Sequence, residues 1–285
     1  MTSVAATSST FTFSAAAFQR LHPAEYFRKF VSQGVRPDGR LLSGFRPTTV
    51  HKSVVSTANG SSMVRVGGTT VVCGIKAEVA EPTLEAQDKG YIVPNVELSP
   101  MCSSAFKAGP PSEQAQVVSD AIDRILKDSD VVDLEQLCIE KGRAVWALWA
   151  DVVCISYDGN ILDAALLAVM TALTNVRLRK PTYDEGVVTV SGEALTEENS
   201  FSLTLTRTPL STTFAIFDTP NNTLLADPNS AEENVSLGRI TVTLDEKNQL
   251  CGVHKVGSGS CSPALIKSCI ERAKERTQEL RSLLA

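Results

Sequence analysis

Tyr157-Asp158-Gly159-Asn160-Ile161-Leu162-Asp163-Ala164 is the stretch on which the reading of this chain turns. Before it runs an apolar, strand-like segment, Val145 to Ile155, and after it an apolar segment of helical length, Asp163 to Val176. A glycine-containing loop therefore joins a buried strand to a buried helix. The first turn of a helix leaves backbone N–H groups unpaired and carries partial positive charge, so such a loop is a ready site for an anion such as phosphate. No basic side chain lies in the loop itself. Asp158 and Asp163 flank it and have the look of a carboxylate pair for acid–base work or magnesium. The simpler reading makes Asp158 a turn residue bonded to backbone and Asp163 a helix N-cap or a tie between elements.

Working outward, Pro23 to Val31 reads as a short helix ended by Gly34, with Tyr26, Phe27 and Phe30 on one face. Thr48 to Val55 and Ser62 to Val66 flank Ala58-Asn59-Gly60, which predicts a hairpin, and Thr69 to Glu78 supplies a third strand. Apolar Ala115, Val118, Ile122 and Ile125 recur at helical spacing over Gln114 to Leu126. Arg177 to Glu198 reads as a link. Beyond it, Phe201 to Thr206, Thr212 to Phe217, Leu224 to Ala226 and Ile240 to Leu244 read as strands. Gly257-Ser258-Gly259-Ser260 makes a turn, and a final helix has Ser262 as cap, Pro263 at its first position and a stripe of Leu265, Ile266, Cys269, Ile270 and Ala273. Lys274 to Arg281 reads as its solvated end. The organisation expected is a disordered tail over 1–22, an αβ domain over 23–180 and a second αβ domain over 181–285.

With 285 residues, 43% hydrophobic and 21% charged, the chain has the composition of an ordinary globular protein of about two domains. No run of about 18 uncharged apolar residues occurs, so no membrane span is expected. The 27 basic and 32 acidic residues give a net charge of −5, so any contact with nucleic acid has to be local or shared with partners. Seven cysteines are odd in number and widely spaced, which favours buried free thiols over disulfides or a metal site. Residues 1–19 carry no charge and are rich in Ala, Ser and Thr; with almost no arginine they read as a tail rather than an organelle-targeting segment. His22, His51 and His254 are dispersed and have neither zinc-site nor triad spacing.

The opening loop followed by Asp163-Ala-Ala-Leu-Leu-Ala168 resembles the RNase PH family of phosphate-dependent RNA-trimming enzymes and exosome ring proteins. Arg36-Pro-Asp-Gly-Arg40, Phe45-Arg46-Pro47, Ala58-Asn59-Gly60-Ser61 and Gly67-Gly68-Thr69-Thr70-Val71 resemble its N-terminal block in order and spacing. Asp88 to Pro94, Cys102-Ser103-Ser104 and Leu250-Cys-Gly-Val-His-Lys255 point within the family to a eukaryotic exosome ring subunit. The resemblance implies an α/β (α+β) fold of two related αβ halves, the first similar to the ribosomal protein S5 domain 2-like fold.

Active members of that family hold phosphate with an arginine pair before a helix and with a Ser/Thr-Arg loop, and carry a catalytic aspartate in the second half. By position, Glu113 and Gln114 stand where the arginine pair belongs, Asn160 and Ile161 where the Ser/Thr-Arg belongs, and Arg239 where the aspartate belongs. A carboxylate there repels phosphate, and isoleucine donates no hydrogen bond. As first-turn helix residues, Glu113 and Gln114 need no catalytic role. No aspartate occurs between Asp227 and Asp245, although Glu232 and Glu233 remain as weak substitutes.

The function implied is a non-catalytic ring subunit of the RNA exosome. Its implied partners are other RNase PH-like subunits in a hexameric ring, S1/KH cap subunits and RNA in the central channel, with no cofactor and no membrane. Its implied location is nucleus, nucleolus and cytoplasm. Lys107, in a loop that the family turns toward the channel, and Arg65 are candidate RNA contacts or plain surface cations. A phosphate-dependent 3′-to-5′ exoribonuclease using Glu232 or Glu233, and an RNA-binding adaptor outside any ring, are the alternatives.

Overall fold

The computed structural model of the chain describes residues 15–184, 187–190, 199–219 and 222–284. Strands β1 (Thr48–Lys52), β2 (Gly60–Val66), β3 (Thr69–Ala80), β4 (Tyr91–Leu98), β5 (Cys138–Glu140) and β6 (Ala144–Ser156) form the first sheet in the order β1-β2-β3-β6-β4, with β5 also paired to β6. Alternation sets its inner face, because Val64 and Val66, then Val71, Cys73 and Ile75, then Leu148, Ala150, Val152 and Cys154 are all buried at two-residue spacing. β4 runs parallel to β6; the other pairings are antiparallel.

Two helices cover that face. In α3 (Glu113–Asp128), Ser112 caps the start by accepting the Ala115 amide at 3.2 Å, and Ala115, Val118, Ile122 and Leu126 are buried. α4 (Ile161–Thr174) is apolar nearly all round, as a helix enclosed on every side must be. It packs on β2 and β3 on one side and on β11 (Leu210–Phe217) of a second sheet on the other. That sheet is wholly antiparallel, in the order β12-β11-β13-β14, with β12 (Thr223–Ala226), β13 (Gly238–Leu244) and β14 (Leu250–Gly257). A short α5 (Ser230–Val235) precedes β13, and α6 (Pro263–Leu284) packs on β11 and β13 and reaches β1. The two-halved αβ fold is as the sequence implies.

Several expectations are corrected. Of the 1–22 tail, residues 1–14 lie outside the described residues, but Ala15–Leu21 is a helix, α1, leading into α2 (Pro23–Val31). The β1–β2 hairpin forms as expected, with Lys52 opposite Ser62, but its connection is longer than the Asn-Gly pair: β1 ends at Lys52, and the Asn59 side chain accepts the Ala77 amide at 3.1 Å and donates to the Arg177 carbonyl at 3.2 Å. Gly60 is needed there because a Cβ would lie 2.6 Å from Val176 and 2.7 Å from the Ala172 carbonyl. The link over Arg177 to Glu198 is not structureless in its described part. It contains β7 (Arg177–Arg179), paired with β10 (Ser200–Ser202), and the β8–β9 hairpin of Pro181–Asp184 and Val187–Val190. The end of α6 is not simply solvated either, since Thr277 and Leu280 are buried. All seven cysteines are free, and Cys73, Cys102, Cys154 and Cys269 are buried.

Candidate functional site

The strand-to-helix loop is held from three directions. Gly159 has φ +75°, and a Cβ on it would stand 2.5 Å from Asn229 C and Ser230 N. The loop is thus pressed against the turn that follows β12. Asn160 is the N-cap of α4 in left-handed geometry, without a side-chain cap bond of its own. Its Nδ2 instead donates to Asp227 Oδ1 at 2.7 Å and to Asp163 Oδ2 at 2.9 Å. Asp163 is therefore no N-cap but an inter-element tie. Its carboxylate also accepts Ser211 Oγ at 2.7 Å, the Thr213 amide at 2.7 Å and Thr213 Oγ1 at 2.9 Å, and burial raises its pKa against the pull of these donors.

The missing basic charge comes from elsewhere in the chain. Arg46 donates to the carbonyls of Asp158 at 2.6 Å and Gly159 at 3.4 Å. It also grips Asp227, with Nε on Oδ2 at 2.9 Å and Nη2 on Oδ1 at 2.7 Å. Both side chains are buried, at 7% and 3% exposure. Burial opposes the charge on each, yet their pairing outweighs it: the Asp227 carboxyl is held below its ordinary value and the Arg46 guanidinium above. Next to this pair, the wholly buried Arg36 meets Glu232 at 3.3 Å and donates to the carbonyls of Leu42 and Ala226. Here burial prevails, lowering the Arg36 pKa and raising that of Glu232. Glu232 also accepts the Asn229 amide at 2.9 Å in a capping box for α5. The Arg-rich N-terminal motifs thus clamp the first half onto the second. In the sequence, only the resemblance drew attention to them.

Glu233, one residue on, points the other way. Its Oε1 accepts the Asn160 amide at 2.9 Å and Arg239 Nη1 at 2.7 Å, while Oε2 accepts the Tyr157 hydroxyl at 2.9 Å. Gln114 Nε2 donates to that same hydroxyl at 2.9 Å. Burial, followed by the Glu233 charge, raises the Tyr157 pKa, so the phenol keeps its proton. Apart from Tyr157, these residues line a cleft of about 380 Å³ between α3, the start of α4 and β13–β14. Glu113, Gln114, Asn160, Ile161 and Arg239 all line it. The structure therefore gathers at one place the five positions that sequence comparison singled out. Glu233 belongs with them; Glu232 does not. Among the described residues no group of three His, Cys, Asp or Glu side chains is placed to hold a metal.

Lys107 and Arg65 lie elsewhere. Lys107 is exposed in the loop before α3, which is fastened by Phe106 stacking edge-on against the Tyr157 ring at 5.2 Å. Arg65 is exposed on β2, its Nε on the Gly67 carbonyl at 3.0 Å.

Residues 44–179 match the family model described as 3′ exoribonuclease family, domain 1 (RNase PH), and residues 208–276 match that of domain 2. The chain belongs to the RNase PH family. Among its RNase PH relatives, exosome complex component rrp43 of Schizosaccharomyces pombe is 39% identical over 272 residues, covering 93% of this chain and 96% of that protein. Exosome complex component Rrp42 of Methanothermobacter thermautotrophicus is 35% identical, covering 86% and 88%. A chain of the Archaeoglobus fulgidus exosome with RNA bound to the active site superposes with a TM-score of 0.80 at 29% identity, covering 92% of this chain and 97% of that one. The RNase PH domain models meet between 179 and 208, where β8 and β9 lie.

Proposed function

We propose that this chain is a non-catalytic ring subunit of the RNA exosome, contributing structure and channel surface to 3′-to-5′ RNA processing and degradation, including rRNA maturation and mRNA turnover. The observation that carries the reading is the charge of the cleft. Glu113 and Glu233 face a single guanidinium, Arg239, which is already paired with Glu233 at 2.7 Å. Phosphorolysis has to hold inorganic phosphate beside an RNA phosphodiester, two anions in one site. A hydrogen bond to a charged group contributes about 1.5–3 kcal/mol, so a site without three arginines forgoes about 5–9 kcal/mol. That corresponds to roughly 10³- to 10⁶-fold in rate, and incomplete additivity leaves the conclusion standing.

The 39% identity to an exosome component over 93% of the chain supports placing it among RNase PH-like neighbours in a six-membered ring, with S1/KH proteins as its cap and RNA in the channel. Edge strand β14, with Leu250, Val253 and Val256 exposed, offers an apolar seam for a neighbouring subunit. Lys107 and Arg65 are the channel-side cations in this reading, residues 23–180 and 181–285 its two domains, and nucleus, nucleolus and cytoplasm its compartments. The test is phosphate-dependent release of nucleoside diphosphates from RNA by a ring that contains this chain and lacks hydrolytic nucleases. The expected result is no release attributable to this subunit; release abolished by Glu233→Gln would establish the enzyme reading instead.

A further inference from the structure

A side-chain carboxylate stands where the strand-to-helix loop is built to receive an anion. The Asn160 amide at the head of α4 and the Tyr157 hydroxyl from the same loop, with the Arg239 guanidinium from β13, converge on Glu233 at 2.9, 2.9 and 2.7 Å. A backbone amide at a helix start, a guanidinium and a hydroxyl form a donor set suited to inorganic phosphate. Here the occupant comes from the chain itself, and its side chain is 8% exposed. The opposite side of the loop is closed, because the Asn229–Ser230 backbone lies against Gly159.

We propose that Glu233 is a built-in anion that fills the phosphate position of the 159–161 loop, excluding inorganic phosphate while fastening the second half to the head of α4. The proposal rests on the reading of the chain as non-phosphorolytic and adds its cause: besides lacking cations, the site is already occupied. α5 is rigidly placed for this role. Glu232 turns inward to Arg36 and the Asn229 amide, so its neighbour Glu233 is aimed at the loop. Truncating Glu233 takes the acceptor from Arg239 and the Asn160 amide and opens an anion-sized gap, while the Tyr157 hydroxyl keeps its bond from Gln114.

Inorganic phosphate is the probe, and ³¹P line broadening with the full chain in its purified complex is the readout, against chloride of equal ionic strength. Glu233→Ala, which discharges and empties the position, should bind phosphate at least about tenfold more tightly than wild type, and Glu233→Gln, which discharges it but still fills it, should gain less. Arg239→Ala placed on Glu233→Ala should remove the gain. Equal binding by wild type and both variants overturns the proposal. So does wild-type binding that Arg239→Ala abolishes, a result that decides the matter even if neither Glu233 variant folds. Nucleoside diphosphate release by wild type would refute the non-catalytic reading; silent variants beside a silent wild type would refute only the built-in anion.

Discussion

Replacing Asp227 by alanine removes the acceptor at the centre of the clamp between the two halves. Its carboxylate receives the Arg46 amide at 2.9 Å, Arg46 Nε at 2.9 Å, Arg46 Nη2 at 2.7 Å and Asn160 Nδ2 at 2.7 Å. At 7% exposure the stranded Arg46 guanidinium has little access to water. Removing one partner of a buried pair costs about 3–5 kcal/mol, because the remaining charge stays desolvated. For a chain of this size each kcal/mol lowers Tm by about 2–4 °C, so a fall of about 6–20 °C is expected. Urea unfolding followed by tryptophan fluorescence gives the free energy independently. Asp218→Ala is the control: its pairing with Arg28 is at the surface, with both side chains more than half exposed, and such pairs contribute about 0–1 kcal/mol. If Asp227→Ala destabilises no more than Asp218→Ala, the clamp does not hold the halves together.

Three further outcomes follow from the same geometry. Asp227 has a folded-state pKa below its unfolded value, so its stabilisation is complete above about pH 4 and is lost as pH falls through the folded value. Glu232 is shifted upward and works in the opposite sense, losing stability as pH rises through its own folded value, so the Asp227→Ala penalty measured by urea unfolding should shrink only below about pH 4. Gly159→Ala should cost about 2–4 kcal/mol, combining left-handed strain with overpacking against the Asn229–Ser230 backbone. Gly34→Ala, at the same φ of +75° with nothing within 4 Å, should cost only the strain, and equal losses would show that the close approach is immaterial. Lys107→Glu should weaken RNase protection of bound RNA by the assembled ring and leave assembly unchanged; unaltered protection would make Lys107 an ordinary surface lysine.

Most of the fold was legible because burial writes itself into period. The stretch Val145 to Ile155 became β6, the Ala115–Ile125 spacing became α3, and the apolar run after Asp163 became α4, each within a few residues of its predicted ends. What periodicity missed was short or partly exposed. β14 has mostly exposed residues and no clean alternation, and α5 spans only six residues, with its capping box as its single local signal. Asn59-Gly60 pointed to the β1–β2 hairpin that forms, but not to the reason for its glycine, which answers to a contact with α4 more than a hundred residues away that local turn chemistry cannot register.

The site divided in the same way. Glu113, Gln114, Asn160, Ile161 and Arg239 were found by position within a family pattern, and the fold brings them to one cleft. Their connection through Tyr157 and Glu233 was not legible, because a hydrogen bond between residues 157 and 233 leaves no trace in spacing. Nor was the division of labour between adjacent glutamates. The Asn229-x-x-Glu232 spacing marks Glu232 as the capping-box residue, but only the direction of α5 shows that it meets a buried arginine and that Glu233 meets the loop.

Native mass spectrometry of the tagged chain, purified gently from its own cells, tests the ring-subunit reading most directly. The account predicts a heavy hetero-complex containing one copy of this chain and several different RNase PH-like chains. A homo-oligomer of this chain alone would contradict it.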